Sequence, residues 1–95
     1  MFSVWKFELV AADSPVVRMP EGAEVLSVAE RGEFGNRLDM WALVDTDAPL
    51  QDRRFRVVGA GHSFSDAEDC RFVATVQTDV GLVWHVFEAE AGVAR

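Results

Sequence analysis

The sequence has few of the residues that build common sites: one cysteine, two histidines, no tyrosine, and a single lysine, Lys6, among nine basic residues. The lone thiol, Cys70, excludes an intramolecular disulfide and supplies no cysteine-rich zinc cluster. No apolar run is long enough to span a membrane, and Lys6 and Glu8 interrupt the apolar N-terminal stretch that a signal peptide needs. We therefore expect a cytoplasmic protein with no membrane contact.

Positive charge is also scarce. The net charge is −7 and the isoelectric point is near 4.6. Nucleic-acid-binding proteins gain most of their affinity from basic surfaces that neutralise phosphates. The charge balance argues against general nucleic-acid binding.

What the chain has in excess is apolar surface. Hydrophobic residues make up 49% of the 95 residues, and 11% are aromatic. A chain of this length is expected to form one domain, residues 1–95, with a small core. The surplus leaves two alternatives open: a homo-oligomer that covers apolar surface, or efficient packing of aromatics between two β layers.

Alternation of apolar and polar residues runs from end to end and favours β-strands. It is clear in residues 2–10, where Trp5, Phe7 and Leu9 share one face. Further strands are predicted at 16–19, 24–30, 38–44, 53–58, 71–77 and 82–88. The predicted fold is all-β, a small antiparallel β-sandwich or barrel of six to seven strands.

Three segments carry additional expectations. The run 38–44 is apolar enough for a central strand buried on both faces. Residues 59–69 are rich in Gly, Ser and Asp, so this loop is the main candidate for a functional surface, with a short helix at 65–69 as an alternative. The tail, 89–95, is expected to fray.

Several motifs follow one another along the chain: Met19–Ala23, Trp41–Asp45 (WALVD), Arg54–His62 (RFRVVGAGH), Thr75–Gln77 and His85–Glu88 (HVFE). In order and spacing they resemble an uncharacterised family of small proteins, a domain of unknown function from bacteriophages and their bacterial hosts. The chain departs from that pattern at Ala60, where threonine is usual, and at Ser63, where proline is usual. The resemblance implies a phage-type accessory protein and no particular reaction.

A metal site would have to use His62 and His85, the two side chains that titrate near neutrality. Further donors would be Asp66, Asp69 and Cys70. None of these residues has a zinc-ligand spacing such as Cys-x-x-Cys. We predict no metal, and no other cofactor.

Hydrolytic catalysis would need Ser63 or Ser65 to be activated by a histidine that Asp66 or Asp69 orients. Neither serine lies in a Gly-x-Ser-x-Gly elbow. We predict that the protein is not an enzyme.

Anion recognition has more support, because guanidinium groups pair with phosphates and aromatic faces stack on bases. The candidate ligand-binding residues are Arg53, Arg54, Arg56, Gly59, Gly61, His62, Trp84 and His85. The competing interpretation is a solvated strand face whose arginines pair with the many acidic residues.

A protein-interaction surface is the remaining hypothesis, since tryptophan and arginine are frequent anchors of such contacts. Trp5 and Trp84 are expected to be exposed, whereas Trp41 lies in the run expected to be buried. The predicted function is binding of a host protein. The alternatives are a nucleotide-sequestering protein and a structural assembly subunit.

Overall fold

The computed structural model describes residues 1–11, 14–65 and 67–90. Seven strands follow one another: β1 (Phe2–Val10), β2 (Val16–Pro20), β3 (Glu24–Glu30), β4 (Arg37–Asp45), β5 (Leu50–Gly59), β6 (Cys70–Gln77) and β7 (Val83–Ala89). A single 3-10 turn, Ala67–Asp69, precedes β6. The all-β prediction is confirmed. Six to seven strands were predicted, and the structure has seven in its described residues.

The strands form two antiparallel sheets, one of three strands in the order β1-β4-β3 and one of four in the order β2-β5-β7-β6. The long strand β5 joins the two halves of the second sheet. Its first half pairs with β2, from Leu50 to Arg54, and its second half pairs with β7, from Phe55 to Gly59. The chain changes sheets after β1, β2 and β4, so the two layers are interleaved in sequence.

The core lies between the two sheets and is built from alternate strand residues. Its fully buried members are Leu9, Met19, Leu38, Met40, Ala42, Val44, Phe55 and Val86. The expectation that the run 38–44 is buried on both faces is wrong. The second sheet covers only one side of β4, so Trp41 and Leu43 on the other side are half-buried.

Two bulges change which side chains reach the core. In β3 the register with β4 shifts between Val25 and Ser27, and the extra residue Leu26 is exposed. In β6 the register with β7 shifts between Phe72 and Ala74, and the extra residue Val73 packs against the core.

The strands predicted at 71–77 and 82–88 are confirmed as β6 and β7, which pair as an antiparallel hairpin. Of the helix considered at 65–69 as an alternative to a loop, the structure has the 3-10 turn Ala67–Asp69, and Asp66 lies outside the described residues. Of the predicted frayed tail, Ala89 belongs to β7 and the Glu90 amide donates to the carbonyl of Asp69 over 2.9 Å. Residues 91–95 lie outside the described residues.

One end of the sandwich is closed by a contact between the β3–β4 loop and the β6–β7 turn. The indole Nε1 of Trp84 donates to the carbonyl of Gly35 over 2.6 Å, and the amide of Asp79 donates to Glu30 Oε1 over 3.0 Å. Gly35 has a φ of 72°, and a Cβ at this residue would lie 2.5 Å from Cγ2 of Val80. The loop therefore approaches the turn closely, and Trp84 holds it there.

We predict that Trp84→Phe lowers the free energy of unfolding by about 2 kcal/mol, because the Gly35 carbonyl loses its buried donor and the core loses packing. Trp41→Phe, the same substitution on a half-buried outer face, should cost less than about 1 kcal/mol. Urea denaturation followed by circular dichroism measures both. Equal losses at the two positions would contradict the closing role of Trp84.

Candidate functional site

The predicted site residues are divided between the two faces of the four-stranded sheet. In β5, Phe55 and Val57 point into the core, so Arg54 and Arg56 point outward and Arg53 lies on the core side. The three arginines therefore do not form one binding surface. Arg54 and Arg56 share a face, and Arg53 has a different environment.

Arg53 is held inside the protein by Glu88 of β7 and by the carbonyl of Ala23, just before β3. Its Nε donates to Oε2 of Glu88 over 2.5 Å, its Nη2 donates to Oε1 of Glu88 over 2.8 Å, and its Nη1 donates to the carbonyl of Ala23 over 2.5 Å. Arg71 donates to the same Glu88 Oε1 over 2.8 Å. The side chains of Arg53 and Glu88 are 12% and 8% exposed. The guanidinium predicted to bind an anion thus connects β5 and β7 to the start of β3.

Trp84 also faces inward, so the expectation that it is an exposed anchor is wrong: it is only 7% exposed. Its neighbour across the sheet is Gly59, and the missing side chain there leaves room for two rings. A Cβ on Gly59 would lie 2.8 Å from Cε1 of His62 and 3.3 Å from Cζ3 of Trp84. Gly59 and His62 therefore contribute packing beside Trp84.

The Gly59–His62 segment is a tight turn, with Gly61 at a φ of 84°. The His62 amide donates to the Gly59 carbonyl over 3.0 Å, and the Ala60 amide donates to the Val83 carbonyl over 3.4 Å. Gly59, Gly61 and His62 were predicted to bind an anion. In the structure the Ala60 and His62 amides donate to carbonyls of the protein itself.

His85 lies on the outer face, opposite to the face on which His62 packs. Its Nδ1 is 2.9 Å from Oγ1 of Thr75, its neighbour on β6. The two histidines are separated by the sheet and cannot share an ion. In the described ranges, no group of three or more His, Cys, Asp or Glu side chains is placed to hold a metal.

The outer face of the four-stranded sheet carries a cluster of aromatic rings, Phe64, Phe72 and Phe87, which we call the phenylalanine patch. The ring centroids of Phe64 and Phe87 are 4.8 Å apart, and those of Phe72 and Phe87 are 5.6 Å apart in an edge-to-face arrangement. Phe72 is 56% exposed. This patch did not emerge from the sequence, because strict alternation would put Phe72 on the same face as the buried Val76, and the bulge at Val73 turns Phe72 outward.

Cationic side chains adjoin the phenylalanine patch. Arg56 is the cross-strand neighbour of Phe87, which in turn neighbours Phe72, so the three form one row across the sheet. Val58, His85 and Thr75 form the next row. Arg54 is exposed on the same face as Arg56, and the Arg56 guanidinium donates to the hydroxyl of Ser14 over 2.5 Å.

A cleft of about 300 Å³ opens between the start of β3 and β6. It is lined by Ala23, Glu24, Val25, Arg71, Phe72 and Val73. Phe72 therefore borders both the cleft and the phenylalanine patch. None of the predicted ligand-binding residues lines this cleft.

The outer face of the three-stranded sheet carries apolar residues mainly toward one end and an ion-pair cluster toward the other. The apolar residues are Phe2, Val4, Leu26, Trp41 and Leu43, with Lys6 beside Trp41. In the ion-pair cluster, Arg31 donates to Asp39 over 3.0 Å, and Arg37 pairs with Glu8. The hydrogen bond to Asp39 and the charge of Glu8 raise the pKa of Arg31 above its ordinary value.

A family model described as Domain of unknown function (DUF7352) matches residues 1–95. The chain belongs to the DUF7352 family. The resemblance to an uncharacterised family is confirmed to that extent. No curated protein and no solved structure matches the chain. Within the described part of this DUF7352 chain there is no helix with the length and apolarity to cross a bilayer.

The two arginines that share Glu88 allow a matched test of the buried ion pair. Arg53→Met should lower the free energy of unfolding by about 3–5 kcal/mol, because it leaves a buried carboxylate and the Ala23 carbonyl without their main donor. Arg71→Met should cost less than about 1 kcal/mol, because the Arg71 side chain is 61% exposed. Chemical denaturation gives both values. Equal effects would show that Arg53 does not have the structural role assigned to it.

Proposed function

We propose that this protein is a non-catalytic, phage-type accessory protein that acts in the host cytoplasm and binds a host protein through the phenylalanine patch. The observation that carries the proposal is a row of exposed and half-exposed side chains, Arg56, Phe87 and Phe72, on a rigid sheet face. Phe64 packs on the centre of this row. Aromatic and arginine side chains together are the usual energetic anchors of protein interfaces.

The charge around the patch supports a partner of particular chemistry. The protein is acidic overall, with a net charge of −7, yet Arg54 and Arg56 lie on the patch side of β5. An acidic segment that carries an apolar anchor fits both features, because the rings bind the anchor and the exposed Arg54 guanidinium donates hydrogen bonds to a carboxylate. A strongly basic partner would instead be drawn to the acidic remainder of the surface.

The nucleotide-sequestering alternative has less support. The cationic residues predicted for such a site are Arg53, Arg54, Arg56 and His62. Arg53 is occupied by Glu88 and His62 packs beside Gly59 on the core side, so only Arg54 and Arg56 share a face. The structural-subunit alternative has no observation that favours it over binding.

The test begins with affinity capture from a host lysate, followed by titration of the purified captured protein in a calorimeter. Phe72→Ala should weaken binding roughly 10- to 100-fold, as expected for a well-packed aromatic anchor. Arg54→Glu should weaken it and reverse its dependence on salt. Phe34→Ala is the matched control, because Phe34 is another exposed phenylalanine and lies in the β3–β4 loop.

Unchanged affinity in both Phe72→Ala and Arg54→Glu would overturn the proposed surface. An acid extract of the purified protein separates the alternatives. A stoichiometric nucleotide in that extract would favour sequestration and contradict the proposal. Assembly of the pure protein into large particles without any partner would favour a structural subunit.

A further inference from the structure

Strand β1 is a long edge strand with an open side. It pairs over all nine of its residues with β4 in an unbroken register, and the order β1-β4-β3 places it at the sheet edge. Proteins usually protect such edges with proline, bulges or several charges. β1 has no proline and no bulge, and its charged residues are Lys6 and Glu8.

The flanking hydrogen bonds show which backbone groups point away from β4. The Thr46 amide donates to the Met1 carbonyl, and the Ala11 amide donates to the Asn36 carbonyl. In an antiparallel pair, hydrogen-bonded positions alternate with non-bonded ones. Odd-numbered residues of β1 therefore bond to β4. The amides and carbonyls of Val4, Lys6, Glu8 and Val10 point toward the open edge.

We infer that this edge binds a second copy of the same chain, with β1 paired antiparallel to itself around a two-fold axis at Phe7. In this register Lys6 lies opposite Glu8 of the second copy, and Val4 lies opposite Val10. Trp5 lies opposite Leu9, and Phe7 lies opposite Phe7. Every cross-strand pair is then either apolar or oppositely charged, and such pairs stabilise antiparallel sheets.

Other two-fold registers also allow the outward amides and carbonyls of β1 to bond to those of the second copy. Their side-chain pairs are less complementary. A two-fold axis at Lys6 would place Lys6 opposite Lys6 and Glu8 opposite Val4. An axis at Glu8 would place Glu8 opposite Glu8, and an axis at Trp5 would place Lys6 opposite Val4. Like charges directly opposite each other are destabilising, so the charges select the axis at Phe7.

Self-pairing of β1 would also cover apolar side chains that are exposed to solvent in the single chain. Trp5 is 38% exposed although it lies on the core side of β1, and Val4 and Val10 are exposed on the outer side. The added strand would cover parts of all three. The two three-stranded sheets would become one continuous sheet across the axis. This inference does not depend on the phenylalanine patch, which lies on the other sheet.

The proposed pair between Lys6 of one copy and Glu8 of the other can be tested by reversing the charge at each position. Light scattering after size exclusion should give twice 10.5 kDa for the unaltered protein. Lys6→Glu and Glu8→Lys should each weaken dimerisation roughly tenfold or more, because each places like charges opposite one another at two positions. Glu8→Lys also removes the pair with Arg37 inside each chain, so Lys6→Glu is the more specific of the two variants. An equimolar mixture of the two variants should dimerise again, since two carboxylates on one chain then face two ammonium groups on the other across the axis. Glu21→Lys, at an exposed turn, controls for the change in net charge.

Amide hydrogen exchange identifies the surface involved. The amides of Val4, Lys6, Glu8 and Val10 should exchange slowly in the dimer and fast in the Lys6→Glu variant. The amides of Trp5, Phe7 and Leu9 should stay protected in both, which reports an intact β1–β4 pair. A monomer at millimolar concentration, or a dimer in which the four edge amides exchange fast, would overturn the inference. If the four edge amides exchanged slowly only after a different protein was added, the inference would also be overturned, and the edge of β1 would be assigned to a strand of that protein.

Discussion

The fold depends on one buried ion pair at the junction of the two sheets. Arg53 binds both carboxylate oxygens of Glu88 and the carbonyl of Ala23, so one guanidinium holds β7 in the second sheet and the beginning of β3 in the first. A buried carboxylate is costly unless its oxygens are satisfied. This pair therefore restricts how the layers can be arranged, because a shift of either sheet would leave Glu88 or Ala23 without its donor.

The ion pair also determines what the outer surface displays. Side chains alternate strictly along a strand, so fixing Arg53 on the core side fixes Arg54 and Arg56 on the solvent side. The register of β5 with β7 then places Phe87 beside Arg56. A slip of one residue would turn the arginines inward and the core residue Phe55 outward. The patch and the ion pair are thus two consequences of the same register.

Much of the fold could be predicted because the period of two is a local property. It located all seven strands. It could not show that the Arg53 side chain is buried within β5, because Glu88, which stabilises it there, is distant in sequence. Nor could it show that Trp84 is buried, since that depends on the space beside Gly59 and on the distant Gly35 carbonyl.

The candidate site was harder to predict than the fold because it is assembled across strands. Phe64 comes from the loop, Phe72 from β6 and Phe87 from β7, and only the registers bring them together. The open edge of β1 belongs to the other sheet, so the two surfaces can be occupied at the same time. A two-fold pairing at β1 would give each assembly two phenylalanine patches. Two linked sites gain affinity for a repetitive or dimeric partner without any new contact, so under both proposals a chain with so little surface would bind firmly through a small patch.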